Sequence, residues 1–247
     1  MTGFNYFFRK KVGIYLVQSN KCYIFVYKIL TIKKKKMKSI KEIKKGSYVL
    51  KIYYDDDPEN PRDYENLGTM VCFHRRYNLG DKHNYNPSYY KHFGELKKDI
   101  CKNVNVGVIL PLYLYDHSGI TMNTTEFNCV WDSGQVGFIF ISKENILKNF
   151  GGKILTKKLK ERVTNYLIDE VKIYDSYLTG NVFGFKVFKV TECELKHKHE
   201  TLLDSCWGFF SEDSCVLDGL NIINDYIENE VVSDEDFSDM LHSVDKN

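Results

Sequence analysis

The clearest pattern in the chain lies between residues 108 and 141, VILPLYLYDHSGITMNTTEFNCVWDSGQVGFIFI, where two apolar runs flank a polar middle. Short, nearly continuous apolar runs predict buried strands, so residues 104–115 and 136–142 read as the two strands of a core hairpin. Val, Ile and Tyr alternate loosely over 47–54, TMVCFH follows at 69–74, and VFGFKVFKV (182–190) and residues 203–210 complete the strand set. Between the first two, DDDPENPRDYENLG (55–68) has the prolines and Asp and Asn residues of a loop.

Helical spacing appears elsewhere. Leu96 and Ile100 stand at i, i+4 within 93–103, and Ser142 is placed to cap a short helix over 143–149 that Gly151 and Gly152 end. Thr156 caps the longest helix, 157–178, whose Leu159, Val163, Tyr166, Leu167, Val171, Tyr174 and Leu178 form one apolar stripe, with Gly180 where a left-handed C-terminal residue is wanted. A last helix starts after Ser211 and turns Val216, Leu220, Ile223 and Ile227 inward. No repeat is visible, and strands do not alternate with helices as parallel βαβ units require. The expectation is an α+β fold: a mixed, mainly antiparallel sheet, with the long helix and the C-terminal helix packed on it.

Composition supports one folded core: 43% of residues are hydrophobic and 15% aromatic. The net charge of +2 hides an asymmetry. Residues 1–36 hold nine Lys or Arg and no acid, while residues 212–247 hold eleven acids and one Lys. The basic stretch 1–36 has no run long enough to cross a bilayer; it is expected to be an extension lying upstream of a true start at Met37. The domain is then 37–232, and the acidic residues 233–247 are expected to be disordered. Seven cysteines without a CxxC pair point to free thiols in a reducing, cytoplasmic setting.

Candidate chemistry gathers around the hairpin. His74, Asp116, His117 and Asp132 are two imidazoles and two carboxylates that adjacent strand ends can bring together, as a divalent-metal site or an acid/base set. Neighbours on a strand point to opposite faces, so Asp116 and His117 share a site only if a turn begins there. Arg75, Arg76, Ser118, Thr121, Trp131, Ser133, Gln135 and Trp207 are candidate binding residues, and Trp131 and Trp207 with Tyr113, Tyr115, Tyr174 and Phe209 would make an aromatic floor. Cys129 and Ser133 lack the surroundings of a nucleophile. His197 and His199 lie in a Lys-rich loop without a Cys partner, and Asp55, Asp57 and Glu59 lack the Gly and closing Glu of a calcium loop. No glycine cluster has phosphate-binding spacing. No cofactor is expected beyond a divalent metal at the His/Asp cluster, and two arginines in a near-neutral core give little direct signal for nucleic acid.

NPRDYENLGTMVCFHRRYNLGD (60–81), LPLYLYDHSGITM (110–122), WDSGQVGFI (131–139), YDSYLTGNVFGF (174–185) and DSCWGFF (204–210) together resemble a family of small uncharacterised proteins of phages and other mobile elements. The resemblance covers most of residues 46–210 and is silent on activity. It implies a phage or prophage accessory protein that binds a host factor inside the host cell, an anti-defence and even anti-CRISPR-like role, and a nucleic-acid-binding defence component as partner. The alternative reading is a small metal-dependent hydrolase or nuclease built on His74, Asp116, His117 and Asp132.

Overall fold

The computed structural model describes the backbone of residues 15–19, 22–26 and 37–244, and the side chains of residues 37–230. Contacts divide the chain into Met1–Lys38 and Ser39–Asn247. In the first unit, where the sequence shows no regular pattern, the described residues form an antiparallel hairpin of β1 (Tyr15–Ser19) and β2 (Cys22–Val26).

The second unit runs β3 (Lys41–Lys45), β4 (Tyr48–Tyr54), β5 (Thr69–Cys72), α1 (Phe93–Asn103), β6 (Val106–Asp116), β7 (Ile120–Asn123), β8 (Ser133–Ser142), α2 (Lys143–Phe150), α3 (Lys157–Leu178), β9 (Phe183–Glu192), β10 (Lys198–Phe209) and α4 (Glu212–Val244). The α+β class stands, and all the strand pairs are antiparallel. There are two four-stranded sheets here, however, and not one: β10-β9-β4-β3 and β5-β8-β6-β7. The expected helices are therefore divided, α3 packing on the second sheet and α4 on the first.

The second sheet is covered on both faces. On one, Met70, Leu112, Ile139 and Ile141 meet Val163, Leu167, Val171 and Tyr174 of α3 and Ile146 of α2; on the other, Val71, Phe138 and Phe140 meet Leu96 and Ile100 of α1. Each such aliphatic or aromatic side chain contributes about 1.5–3 kcal/mol of transfer free energy, which is why the near-continuous apolar runs in β6 and β8 are strands buried on both sides. Gly137 makes this sheet close: a Cβ there would lie 1.9 Å from the Val71 carbonyl oxygen. The first sheet has α4 on one face, where Cys215 and Ile223 pack on Tyr48, Leu50, Ile52, Phe185 and Val187.

Local signals locate the helix starts. Ser142 Oγ accepts the Asn145 N–H at 3.1 Å and Thr156 Oγ1 the Leu159 N–H at 3.2 Å, while Gly180 takes φ 73° after α3. Two expectations give way. β7 intervenes between the hairpin strands, pairing its residues 120–123 with the end of β6. The connection between β9 and β10 is only residues 193–197, so His199 sits in β10 opposite Thr191 and not in a loop with His197. α4 runs to Val244, and no Gly or Pro follows Gly219 in it.

The part of the fold that the apolar pattern does not announce is polar. Arg62 is buried, its side chain 2% exposed. Its Nε and one terminal nitrogen donate to both carboxylate oxygens of Asp81, each at 2.7 Å; the same nitrogen donates to the Gly68 carbonyl at 2.7 Å, and the other reaches Glu170 of α3 at 3.1 Å. Burial works against the guanidinium charge, but the hydrogen bonds and fields of Asp81 and Glu170 outweigh it and hold Arg62 above its ordinary value. Arg62→Met leaves two carboxylates with their cation removed and is expected to cost about 3–5 kcal/mol, read as a lower midpoint in chemical denaturation at unchanged slope.

Candidate functional site

The four polar residues singled out in the sequence do gather at one end of the second sheet, in two pairs. β6 ends at Asp116, whose N–H donates to the Asp132 carbonyl at 2.8 Å just before β8 begins. The turn starts at that point: the His117 N–H donates to the Gly119 carbonyl at 3.0 Å and Ser118 takes φ 57°, so Asp116 and His117 are no longer bound to the alternation of a strand. β5 leaves the sheet beside them, with Phe73 N–H bonded to the Val136 carbonyl at 2.8 Å and His74 next in line.

In the inner pair, the His74 ring Nδ1 accepts the N–H groups of Arg76 and Tyr77, each at 3.3 Å. That assigns the proton to Nε2, which faces an Asp116 carboxylate oxygen at 3.8 Å. The same oxygen is taken by the Arg76 guanidinium. Tyr77 closes the group, its ring stacked on His74 with centroids 5.0 Å apart and under the Arg76 guanidinium at 5.4 Å. In the outer pair, His117 Nδ1 lies 3.1 Å from an Asp132 carboxylate oxygen, and this His117 side chain is 62% exposed. Cys129 Sγ is 3.9 Å from the same oxygen, and Ser133 Oγ donates to the Cys129 carbonyl.

Most of the remaining candidates hold the fold. Thr121 Oγ1 and the Met122 N–H both donate to Asp175 of α3, at 2.6 and 2.7 Å, and Gln135 donates to the Gly137 carbonyl at 3.2 Å. Arg75 is exposed. The aromatic floor does not form: Tyr174 is core, and Trp207 lies in the other sheet, 6.1 Å from Tyr53. Trp131 projects outward, 94% exposed, next to Val130 at 86%. The sequence pattern placed Trp131 both among candidate binding residues and in an aromatic floor, and gave no sign of its exposure; the Arg62 group was missed, although NPRD and NLGD lie within a marked stretch.

No protein-family model, no curated protein and no solved structure matches the chain. The chemistry has to be read from the side chains. Among the described residues, no group of three or more His, Cys, Asp or Glu is arranged to hold a metal ion. The reason is visible in the donor set: the four candidates divide into two pairs, and Arg76 occupies Asp116, where a cation would have to sit. The outer pair has the geometry of an oriented imidazole on an exposed side chain. The Cys129 thiol nearby approaches the carboxylate and not the ring, however, and the exposed turn gives no low-dielectric enclosure. The cavity formed by Phe73, Pro87 and residues 90–93 and 96 and the one at residues 157–165 include none of the four residues.

This sheet end is therefore a fixed, ion-paired surface, and its order depends on His74 as acceptor. In His74→Ala the amides of Arg76 and Tyr77 are expected to lose hydrogen-exchange protection while global stability falls by only about 1 kcal/mol. An unchanged exchange rate at 76 and 77 would show that the loop is held by other means.

Proposed function

We propose that this chain is an accessory protein of a phage or other mobile element that binds a host protein through the loop between β7 and β8. Its narrower form is anti-defence: occupation of a nucleic-acid-binding defence component, in the manner of an anti-CRISPR. The observation that carries the binding reading is Trp131, 94% exposed beside Val130, on a loop braced by the Asp116–Asp132 backbone bond and the Ser133–Cys129 bond. A tryptophan held out on a fixed base is the usual composition of an interface hot spot. The mobile-element origin rests on the motif resemblance of residues 60–210. The anti-defence form draws on the acidic residues of 212–247, since a negative segment is steered toward a basic nucleic-acid channel. No described helix is long and apolar enough to cross a membrane.

Hydrolysis at the same turn is the second reading, favoured by the His117–Asp132 pair alone. The two readings separate on one residue each: His117→Ala removes the exposed imidazole beside Asp132, and Trp131→Ala removes the anchor.

A photo-crosslinking amino acid at position 131 is expected to give a discrete adduct in host lysate, whereas the same group at Leu195, 77% exposed in the β9–β10 connection, gives none. With the adduct partner in hand, Trp131→Ala is expected to weaken binding about thirtyfold, the equivalent of a 2 kcal/mol hot spot. Equal adduct patterns at 131 and 195 would overturn the proposal. Deleting residues 233–247 is expected to weaken binding at low salt, and unchanged affinity there removes the anti-defence form while leaving the Trp131 interface standing.

A further inference from the structure

A second site, with no wall from the Trp131 loop, lies where the chain enters α1. A cavity of about 190 Å³ is lined by Phe73, Pro87, Tyr90, Lys91, His92, Phe93 and Leu96. Leu96 is fully buried, and the walls are aromatic. Phe73 and Tyr90 lie with near-parallel planes, 18° apart and 6.2 Å between centroids. Tyr90 is pinned by its hydroxyl, which donates to Asp99 at 2.7 Å, and Phe93 is braced edge-on against Phe138. These walls are thus held by the sheet and by α1 without any occupant.

Size limits what fits. Drug-sized ligands need about 300–1,000 Å³, whereas an apolar cavity of about 150 Å³ takes up benzene. The space suits one planar ring with a small substituent. The mouth determines the substituent. Pro87, Lys91 and His92 are its exposed residues, and the last two are the polar ones. The nearby carboxylate, Glu95, is turned onto the Lys91 backbone N–H at 2.8 Å and stands 3.8 Å from the His92 ring. The Lys91 ammonium itself makes no ion pair among the described residues. An apolar slot for one ring with an uncommitted cation at its rim is complementary to an aryl group carrying a carboxylate.

We propose that the cavity bounded by Phe73, Tyr90, Phe93 and Leu96 binds a single aromatic ring whose carboxylate is met by Lys91. The same chemistry is offered by a free aromatic acid and by a peptide ending in phenylalanine or tyrosine.

The test is amide chemical-shift mapping of the intact chain with benzoate, with uncharged benzyl alcohol, and with N-acetyl-phenylalanine beside its amide. Benzoate at millimolar concentration is expected to shift residues 73 and 90–96. Lys91→Ala, an exposed change that leaves the fold alone, is expected to weaken benzoate up to about fivefold, the upper range for an exposed charge pair, without affecting benzyl alcohol. Phe93→Ala is expected to abolish both. N-acetyl-phenylalanine binding more tightly than benzoate and than its own amide identifies a peptide C-terminus as the source; the reverse order identifies a free acid. The proposal is overturned if benzoate leaves 73 and 90–96 unshifted, or if Lys91→Ala weakens benzyl alcohol as much as benzoate.

Discussion

Arg62 carries a full positive charge into the interior, and the placement of three separate chain segments depends on how that charge is met. Removing a charge from water costs several kcal/mol even after relaxation, and the cost is offset only where the geometry is nearly complete. Here four of the five guanidinium N–H directions have acceptors, two of them on Asp81 in a bidentate pair. The carboxylates are committed further: Asp81 also accepts the Met70 N–H at 2.7 Å, and Glu170 accepts those of Leu67 and Gly68 at 2.6 and 3.2 Å. The network thereby ties the 55–68 loop, the start of β5 and the 78–81 turn to the middle of α3. It also fixes what the apolar contacts leave free, since hydrophobic packing of α3 on the sheet tolerates sliding while a bidentate ion pair does not.

The rest of the second sheet follows from that anchoring. With the 78–81 turn held, the Asp81 N–H bonds to the Met70 carbonyl, Gly80 bridges to Val71, and the Gly80 N–H finds the Tyr174 hydroxyl at 3.0 Å. The outer edge of β5 is covered and offers no open ladder to another chain. At the opposite edge, Asp175 performs the same service for β7 by accepting from Thr121 and Met122. One helix thus secures both edges of the sheet through two acidic residues, Glu170 and Asp175, that lie beside its apolar stripe.

How much of this was legible in the sequence differs by kind of interaction. The helix starts at Ser142 and Thr156, the stripe of α3 and the buried strands β6 and β8 all rest on local chemistry or on short periodic patterns, and these read correctly except for Tyr166, which stands 45% exposed. Two sheets were read as one because pairing between β4 and β9 joins residues more than 120 positions apart, and no local pattern encodes it. β7 escaped because a four-residue strand has too little alternation to register. The meeting of His74 with Asp116 and of His117 with Asp132 was legible only as an expectation that strand ends converge. That Arg76 would settle on Asp116, dividing four residues into two pairs, depends on the turn after β5. Arg62 was invisible because an arginine in a Pro- and Asp-rich stretch looks like any solvated loop residue.

Those same differences bear on what the sheet end does. Catalysis by a His/Asp set relies on groups held ready in a water-excluded site, and here the inner carboxylate is already answered by arginine while the outer imidazole stands in open solvent. Recognition makes the opposite demand: a rigid base and an unsatisfied apolar projection. Trp131 supplies the projection. Covering a side chain of its size removes about 150–250 Å² from water, worth about 4–6 kcal/mol at 25 cal/mol per Å² before the costs of association. A monomer gains nothing from leaving that surface exposed, whereas a complex gains a large share of its affinity from covering it. On the proposed interface reading, the Asp116–Asp132 and Ser133–Cys129 hydrogen bonds behind Trp131 would spare the loop the cost of being ordered when a partner arrives.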